Sequence, residues 1–415
     1  MVLFEIIVWV GCFYLLFPLV SSIIASLLSE NLPDISGEQE PSDFACVITV
    51  YKELEISWPL VRALLNQKYG NFHIYLVADG ITDIIEGIQD PKLTIIQPKA
   101  FLKSKVASLN RALESMDQRH SHVVVFDPDN LVPDHFLGVL NQYHACGFKA
   151  VQGKRIAKNI EGTYAALDAL GEYYYDFAVR YVPYMLGSSS TIAGSGMSIE
   201  KAIYQRNINM EMQELHKKGV VVAEDKSLQL DLVRSGFRIA YAGAAIIFDE
   251  KITSSEQIGK QRGRWLNSYF GHSVKGFIAL GKGLISLDWN LLFFSLVVLM
   301  PPMVILVGIS FLAGILAIWI KLPLFFLLLG CLTIFVLGFG AILVLNRTPL
   351  KVMAAIPKIP LFVWGQMSGI MNIRRANKDF MATSHQETLE IDTVWRKRRG
   401  EFSRFSHWWK VKPEE

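Results

Sequence analysis

Acidic residues follow two apolar runs in the first third of the chain, a placement that suits metal and phosphate chemistry. Asp79 comes directly after the run 72–78, and Asp127 and Asp129 follow the run 122–126 with one residue between them. In a loop that leaves a strand, this spacing lets one or both carboxylates reach a hard cation such as Mg²⁺ or Mn²⁺. The same residues also make ordinary turns, so the motif alone leaves both interpretations open.

A second acidic pair, Glu224 and Asp225, opens a segment with a helical pattern. Carboxylates at this position could take part in catalysis. They are also favourable as an N-terminal cap, where the helix dipole attracts negative charge. The pair therefore points to chemistry only in combination with other motifs.

Farther along, Gln261, Arg264 and Trp265 share one helical face at the i, i+3, i+4 spacing. An arginine here could bind a diphosphate through two hydrogen bonds, and a tryptophan could stack on a sugar ring. Aromatic and basic residues are also typical of the belt beside a membrane.

The elements that position these residues alternate between short apolar strands and helical patterns. This rhythm predicts an α/β fold with a mostly parallel sheet and helices on both faces. Such a sheet binds ligands at the carboxyl ends of its strands, where the acidic residues stand. The predicted strands are 44–50, 72–78, 93–96 and 122–126, and the predicted helices between them are 58–67 and 103–116.

The remaining apolar residues are concentrated in stretches long enough to cross a bilayer. The chain has 415 residues, of which 51% are hydrophobic and only 19% charged. Residues 2–28 contain one charge, Glu5, and residues 291–345 contain only Lys321. About 20 apolar residues suffice for a transmembrane helix. A signal peptide usually has a shorter core and a basic start, so the first stretch favours a retained helix.

Basic residues flank these stretches on one side, which predicts the topology. By the positive-inside rule the middle of the chain and the tail are cytoplasmic, and the N-terminus lies outside the cell (inner or plasma) membrane. The stretch 359–373 is short for a span and predicts a helix at the membrane interface. The basic residues are Lys275, Lys282, Arg347, Lys351, Lys358, Arg374, Arg375 and the run 396–399.

Together these patterns predict a cytoplasmic catalytic domain with transmembrane α-helices. A net charge of +3 without a long basic block before the tail argues against nucleic acid as a partner. Four scattered cysteines argue against a zinc site or disulfide framework. The predicted segments are a transmembrane helix at 1–29, a linker at 30–43, a catalytic domain at 44–286 (nucleotide-binding half 44–130, acceptor half 131–286), a transmembrane hairpin at 287–346, an interfacial helix at 347–373 and a basic cytoplasmic tail at 374–415.

Over about residues 44–345, the order of the motifs and of the membrane hairpin resembles that of the membrane-integrated family 2 glycosyltransferases. These are the relatives of cellulose, chitin, hyaluronan and poly-N-acetylglucosamine synthases and of ceramide glucosyltransferase. The resemblance implies a GT-A fold, a UDP-sugar as donor, Mg²⁺ or Mn²⁺ as cofactor, and transfer of a hexose or N-acetylhexosamine with inversion.

On the donor side, the resemblance implies roles for several strand-end residues. Tyr51 and Glu53 match the family's first-strand Tyr-Asn-Glu and would hold the base, although Thr49 and Lys52 replace the usual proline and asparagine. The remaining donor residues would be Asp79 on the uracil, Lys105 in a Lys-x-x-x-Leu-Asn motif near the donor, Asp127 with Asp129 as the metal site, and Gln261 with Arg264 on the diphosphate.

On the acceptor side, Asp225 corresponds to the general base of the family's Thr-Glu-Asp motif, with Ala223 in place of threonine. The resemblance also implies a small-residue loop beneath the acceptor. The acceptor-binding residues would be Gly194, Ser195, Gly196, Glu224 and Trp265.

Three functions remain open at this stage. A polysaccharide synthase would extend a chain and thread it through the membrane, with a partner subunit or a homo-oligomer completing the channel. A lipid glycosyltransferase would add one sugar to a sphingolipid or glycerolipid. A non-catalytic membrane scaffold or transporter subunit is disfavoured by the intact carboxylates and by the lack of an intramembrane charge that would mark a transport path. The intact Gln261, Arg264 and Trp265 favour polymer synthesis slightly.

Overall fold

The computed structural model describes residues 1–28, 40–83, 85, 87–219, 221, 223–361, 363 and 389–402. A sheet of seven strands forms the centre, in the order β3-β2-β1-β4-β6-β5-β7. Of these strands β6 runs antiparallel to its neighbours, and the other pairings are parallel. The strands are β1 Phe44–Tyr51, β2 Phe72–Asp79, β3 Leu93–Ile96, β4 His122–Phe126, β5 Ala150–Ala157, β6 Met197–Glu200 and β7 Ile239–Asp249.

Helices cover both faces of this sheet and continue into an apolar bundle. A π-helical segment, Asp176–Tyr181, joins α5 to α6, and short 3₁₀ turns occupy Leu54–Ser57 and Ile356–Lys358. The helices are α1 Val2–Ser26, α2 Trp58–Leu65, α3 Lys105–Ser115, α4 Phe136–Ala145, α5 Thr163–Tyr175, α6 Val182–Met185, α7 Lys201–Lys218, α8 Glu224–Arg234, α9 Ser255–Ser286, α10 Trp289–Leu299, α11 Met303–Ile320, α12 Leu322–Leu345, α13 Leu350–Met353 and α14 Ile391–Phe402.

The predicted α/β class is confirmed, and its physical basis is visible in β1. Cys46 and Ile48 belong to one core cluster and Ala45 and Val47 to the other, so this strand is buried on both faces. Burial on both faces explains the continuous apolar run in the sequence. The four predicted strands are present within one residue of their predicted ends.

The predicted helix 103–116 is shorter in the structure and spans Lys105–Ser115. Lys103 has a left-handed φ of 49°, so the helix starts after it. Ser104 instead caps the helix, because its hydroxyl accepts the N–H of Ala107 at 3.4 Å. The first predicted helix ends two residues early, at Leu65.

Three helices, α1, α11 and α12, are long and apolar enough to cross a membrane. The predicted hairpin differs in its first arm: helix α10 ends at Leu299, the chain turns at Pro301-Pro302, and α11 begins at Met303. A proline lacks the N–H that would continue a helix, so the pair separates the arm into two helices. At the far end of the bundle, Lys321 Nζ lies 3.0 Å from Glu5 Oε1.

The opposite ends of these helices pack on the core of the sheet domain. Ala25 of α1 and Leu343 of α12 belong to the same cluster as the sheet residues. Tyr174 of α5 stacks on Phe339 of α12 with the ring centroids 4.9 Å apart. The core of the sheet domain is therefore continuous with the bundle.

Two predicted segments lie partly outside the described residues. Residues 30–39 of the linker fall there, as do residues 362 and 364–373 of the predicted interfacial helix 347–373. Part of the predicted basic tail is described as α14, which packs on the sheet domain. Its Arg398 is only 4% exposed and donates hydrogen bonds to the Ala157 carbonyl at 2.9 Å and the Tyr173 hydroxyl at 3.0 Å.

Candidate active site

The carboxyl ends of β1, β2 and β4 meet at one edge of the sheet. Tyr51, the last residue of β1, pairs with Asp79, the last residue of β2. The Asp79 carboxylate is 2% exposed and accepts the N–H groups of Leu102 and Lys103, each at 2.8 Å. Asp79 therefore fixes the loop that leads into α3 and, with it, the position of Lys105.

Lys105, the first residue of α3, is the centre of the predicted donor and acceptor residues. Its Nζ lies 2.8 Å from Asp127 Oδ1, 3.2 Å from the Gly194 carbonyl oxygen and 3.6 Å from Glu224 Oε1. Burial would lower the pKa of Lys105, but the charges of Asp127 and Glu224 outweigh it and raise the pKa above its ordinary value. The structure thus brings residues from α3, β4, α8 and the loop before β6 around one ammonium group.

Glu224 and Asp225 stand at the start of α8, after Ala223, whose φ is a left-handed 61°. Glu224 is 9% exposed. Burial raises the pKa of Glu224, the Lys105 ammonium opposes this rise, and Asp225 adds to it. Asp225 is more exposed and accepts the Lys226 N–H at 2.9 Å. The two adjacent carboxylates therefore have different surroundings.

The loop Ala193–Gly196 passes directly beside Asp225. A Cβ placed on Gly194 would lie 3.4 Å from Asp225 Oδ2, and Gly194 has a φ of +81°. Gly196 also has a positive φ, +62°, and a Cβ there would collide with the Ile247 side chain. Ser195 is 0% exposed, backbone and side chain together, so it supports this loop from inside.

The two aspartates of the predicted metal site have different surroundings. The Asp127 side chain is 33% exposed, whereas Asp129 is 3% exposed and its Oδ2 accepts the Glu250 N–H at 3.0 Å. Within the described residues no group of three or more His, Cys, Asp or Glu side chains is placed to hold a metal. A cation bound at Asp127 would therefore need oxygen ligands from a substrate phosphate, as is common for Mg²⁺.

The remaining predicted donor residues lie around this edge. Glu53 is exposed, and its N–H donates to the Tyr51 carbonyl at 2.9 Å. Lys52 has a left-handed φ of 66°, and its Nζ lies 5.2 Å from the centroid of the Tyr51 ring. The turn after β1 thus leaves Glu53 accessible at the surface.

The Gln-x-x-Arg-Trp residues lie in the second and third turns of α9. Within this motif Arg262, which the sequence analysis did not single out, pairs with Asp168 of α5 at 2.6 Å and lies 4.1 Å from the Trp265 ring centroid. Burial lowers the pKa of Arg264. The Gln261 Oε1 atom is buried without a hydrogen-bond partner, and Trp265 is 49% exposed.

Sequence reasoning also missed Arg155 and Asp249, which lie next to the site. Arg155 Nη2 is 2.6 Å from Asp249 Oδ2, and its Nη1 donates to the Ala193 carbonyl at 2.7 Å. The available signal was the charged pair Lys154-Arg155 between the apolar ends of the run 150–157, because a buried charge needs a partner. The partner, Asp249, is 94 positions away in sequence and could not be identified from spacing.

Comparisons with known proteins agree with this architecture. The family model described as "Glycosyltransferase like family 2" matches residues 41–268. The mannosyltransferase PcManGT from Pyrobaculum calidifontis, solved in complex with GDP-Man and Mn²⁺, has a similar structure. The similarity covers 89% of this chain and 99% of that chain, with a TM-score of 0.51 and 14% sequence identity. A search of the curated proteins finds no match.

At 14% identity the structural likeness concerns the fold, and it confirms the predicted GT-A architecture. The family model covers more than half of the 415 residues. The chain therefore belongs to the glycosyltransferase-like family 2 and is a sugar-transferring enzyme.

Proposed function

We propose that the protein is an inverting, metal-dependent hexosyltransferase that moves a hexose or N-acetylhexosamine from a UDP-sugar to an acceptor at the membrane. The observation that carries this proposal is the convergence of Asp127, Glu224 and the Gly194 carbonyl on Lys105, with Asp225 beside the same loop. Four separate segments of the chain meet there, at the sheet edge where α/β folds bind ligands.

On the donor side, Tyr51, Glu53 and Asp79 would receive the uridine. Lys105 and Arg264 would neutralise charge on the diphosphate, an electrostatic contribution that is usually the largest in such reactions. Gln261 would hold the diphosphate beside Arg264. These roles remain proposals based on the resemblance and on the position of each residue at the sheet edge or on α9.

The residue that would hold a Mg²⁺ or Mn²⁺ ion is Asp127, with the buried Asp129 behind it. A bound divalent ion supplies positive charge where the leaving diphosphate becomes more negative. The partial exposure of Asp127 and its place at the end of β4 fit such an ion. The Mn²⁺ and GDP-Man bound to the similar mannosyltransferase support both the ion and a nucleotide-sugar donor.

On the acceptor side, Asp225 would remove the proton from the attacking hydroxyl group. General base catalysis of this kind typically contributes about 10²–10⁴-fold to the rate. Gly194, Ser195 and Gly196 would lie beneath the acceptor, with Glu224 and Trp265 at its sides. The direct approach of Gly194 to Asp225 is the contact that supports this arrangement.

For the acceptor we propose a growing polysaccharide, as in the cellulose, chitin and hyaluronan synthases. In this proposal the catalytic domain and the tail lie on the cytoplasmic side of the membrane, and the N-terminus lies on the outer side. The salt bridge between Glu5 and Lys321 supports a common location for the N-terminus and the turn of the hairpin.

One observation favours a second candidate, a lipid acceptor that receives a single sugar. The three candidate spans pack directly on one another, with Leu15, Ala313 and Phe335 in one shared cluster. Because these helices pack on one another, the described part of one chain contains no channel through which a polymer could pass. A partner subunit or a homo-oligomer would have to supply that path.

The test is sugar transfer by the purified protein in detergent with native lipid. A panel of labelled UDP-sugars and GDP-mannose is supplied with Mg²⁺ or Mn²⁺, and the products are separated by solubility and size. Label in high-mass aqueous material supports the polysaccharide synthase, and label confined to the organic phase supports the lipid transferase. The proposal is wrong if the protein binds none of these nucleotides.

A further inference from the structure

A closed chain of contacts joins the donor and acceptor sides of the site. It passes through Arg155, which the proposed function above does not use. On the donor side, Arg155 Nη2 lies 2.6 Å from Asp249 Oδ2, Asn130 Nδ2 donates to Asp249 Oδ1 at 3.3 Å, and the Asp127 N–H donates to Asn130 Oδ1 at 3.1 Å. Lys105 Nζ then joins Asp127 Oδ1 at 2.8 Å to the Gly194 carbonyl at 3.2 Å. Arg155 Nη1 completes the ring by donating to the adjacent Ala193 carbonyl at 2.7 Å.

An irregularity in the sheet brings Arg155 to this side. The pairing of β5 with β7 shifts register between Gly153 and Lys154. Val151 and Ile156 both point into the same core cluster although they are five positions apart. In a regular strand two residues at an odd spacing face opposite sides. The alternation therefore reverses between them, and such irregularities often redirect side chains beside active sites.

The reversal places Gln152 and Arg155 on one face, where they hold the same peptide segment. Gln152 Oε1 accepts the Ala193 N–H at 2.9 Å, while Arg155 donates to the Ala193 carbonyl. Ala193 is thus fixed from both sides, immediately before Gly194. Since Gly194 lies against Asp225 and its carbonyl accepts a bond from Lys105, the position of Ala193 determines both contacts.

The chemistry of the guanidinium group suits this task better than an ammonium would. Two different nitrogens of Arg155 bind Ala193 and Asp249, and a planar fork with several donors holds two partners in a fixed geometry. The side chains of Arg155 and Asp249 are only 15% and 9% exposed. A buried pair of this kind is strongly destabilised when one charge is removed, but less so when the charge is kept.

We propose that Arg155 is a positioning residue for sugar transfer. It sets the Ala193–Gly194 peptide against the proposed base Asp225 and, through Asp249 and Asn130, aligns that peptide with Asp127. This inference rests on the proposed function for its catalytic consequence. Its structural part, that Arg155 holds the 193–196 loop, stands on the contacts alone.

The test uses Arg155→Lys in the full-length protein, because lysine keeps the charge beside Asp249 but cannot offer the same fork. Arg180→Lys is the matched control. Arg180 is similarly buried, with a side chain 10% exposed, and pairs with Glu172 at 2.6 Å and Asp176 at 3.7 Å. Both variants replace a buried arginine in an ion pair. Of the two, only Arg155 donates to the Ala193 carbonyl, whereas Arg180 reaches Asp249 only through Glu172 and Lys251. Thermal unfolding confirms that each variant is folded.

The first readout is hydrogen exchange of the backbone amides in residues 190–197. We expect exchange at least tenfold faster than wild type in Arg155→Lys and unchanged in Arg180→Lys. Unchanged exchange in Arg155→Lys would overturn the inference, whether or not the wild-type protein transfers sugar. A wild-type protein without transfer from any donor would contradict the proposed function instead, and the exchange result would still decide the structural claim.

The second readout uses whichever nucleotide sugar the wild-type enzyme accepts. We expect Arg155→Lys to lower kcat at least tenfold, while UDP binding in the presence of Mn²⁺ stays within twofold of wild type. A general loss of structure would weaken UDP binding as well. Wild-type kcat in a folded Arg155→Lys variant would refute the positioning role.

Discussion

Gly194 lies so close to Asp225 that a Cβ on the glycine would stand 3.4 Å from Oδ2 of the aspartate. This distance is at the limit of ordinary van der Waals contact, and the positive φ of Gly194 adds backbone strain to any substitution. The acceptor loop and the proposed base are therefore matched in shape. A Cβ would still fit at this distance, so a side chain at position 194 is opposed mainly by the positive φ of the backbone.

The substitution Gly194→Ala should disturb this contact. We expect sugar transfer to fall at least tenfold with UDP binding retained, and stability to fall by about 1–2 kcal/mol because alanine is strained at a left-handed φ. Steady-state kinetics and thermal unfolding provide the measurements. Gly147→Ala is the control, because Gly147 has a similar φ of +88° with nothing near its Cβ position. Equal losses of transfer in both variants would contradict the role of the contact.

Lys105 should be required for binding of the diphosphate. In Lys105→Met, Asp127 and Glu224 would lose the cation that lies between them. A lost charge-assisted hydrogen bond costs about 1.5–3 kcal/mol, so we expect UDP affinity to fall about 10–100-fold. Isothermal titration with UDP and Mn²⁺ measures this loss. Lys201→Met serves as the control, because the Lys201 ammonium donates to the exposed Asp117 carbonyl; a similar loss there would refute the assignment.

Two neighbouring buried histidines should make the fold sensitive to acid. The rings of His122 and His144 lie 3.8 Å apart, and burial lowers the pKa of His122 to about 4 and that of His144 to about 3. Both values lie below the ordinary 6.5, so the folded state favours the neutral rings. Stability is then complete above pH 6.5 and decreases as the pH falls towards 4, by a few kcal/mol in order of magnitude.

This acid sensitivity can be measured as the thermal unfolding midpoint between pH 7 and pH 4.5. His144→Gln should reduce the pH dependence, since one buried titrating group is removed. The exposed His216 offers the matched control, His216→Gln, which should keep the wild-type profile. An unfolding midpoint in His144→Gln that falls with pH as steeply as in wild type would contradict the explanation.

The helix bundle offers a chemical test of its packing. Cys12 of α1 and Cys331 of α12 are buried in the same cluster, where the two helices pack together. Oxidation by copper phenanthroline, which removes two electrons and two thiol protons, should join them in a disulfide. Mass spectrometry of the digested protein should find the linked peptides. Cys46, fully buried in β1, should stay reduced, and linkage of Cys12 to any cysteine other than Cys331 would contradict the arrangement.

The sequence predicted the strands that are buried on both faces, because their apolar runs are uninterrupted. It did not identify β5, where Lys154 and Arg155 interrupt the apolar pattern, although Asp176 pairs with Lys154 and Asp249 pairs with Arg155. Nor could it place the irregularity opposite Gly153, since that depends on how β7 pairs with β5. Tertiary pairing, rather than local preference, decides these features.

In the candidate site, too, local motifs predict some features and tertiary contacts decide the others. The order of the motifs predicted Lys105 and Asp127 on the donor side and Glu224 on the acceptor side, but not that Lys105 lies beside both carboxylates. It could not show that Asp129 bonds to the Glu250 N–H or that Arg262, rather than Arg264, pairs with Asp168. Short motifs identify residue types, while side-chain direction depends on the surrounding helices and strands.

The central claim is that Asp225 acts as the base in sugar transfer, and one variant tests it most directly. Transfer by Asp225→Asn is compared with transfer by Asp231→Asn, which changes an aspartate on the same helix that pairs with Arg234. We expect Asp225→Asn to lose about 10²–10⁴-fold in kcat with UDP binding intact, and Asp231→Asn to remain active. Wild-type turnover by Asp225→Asn would contradict the account.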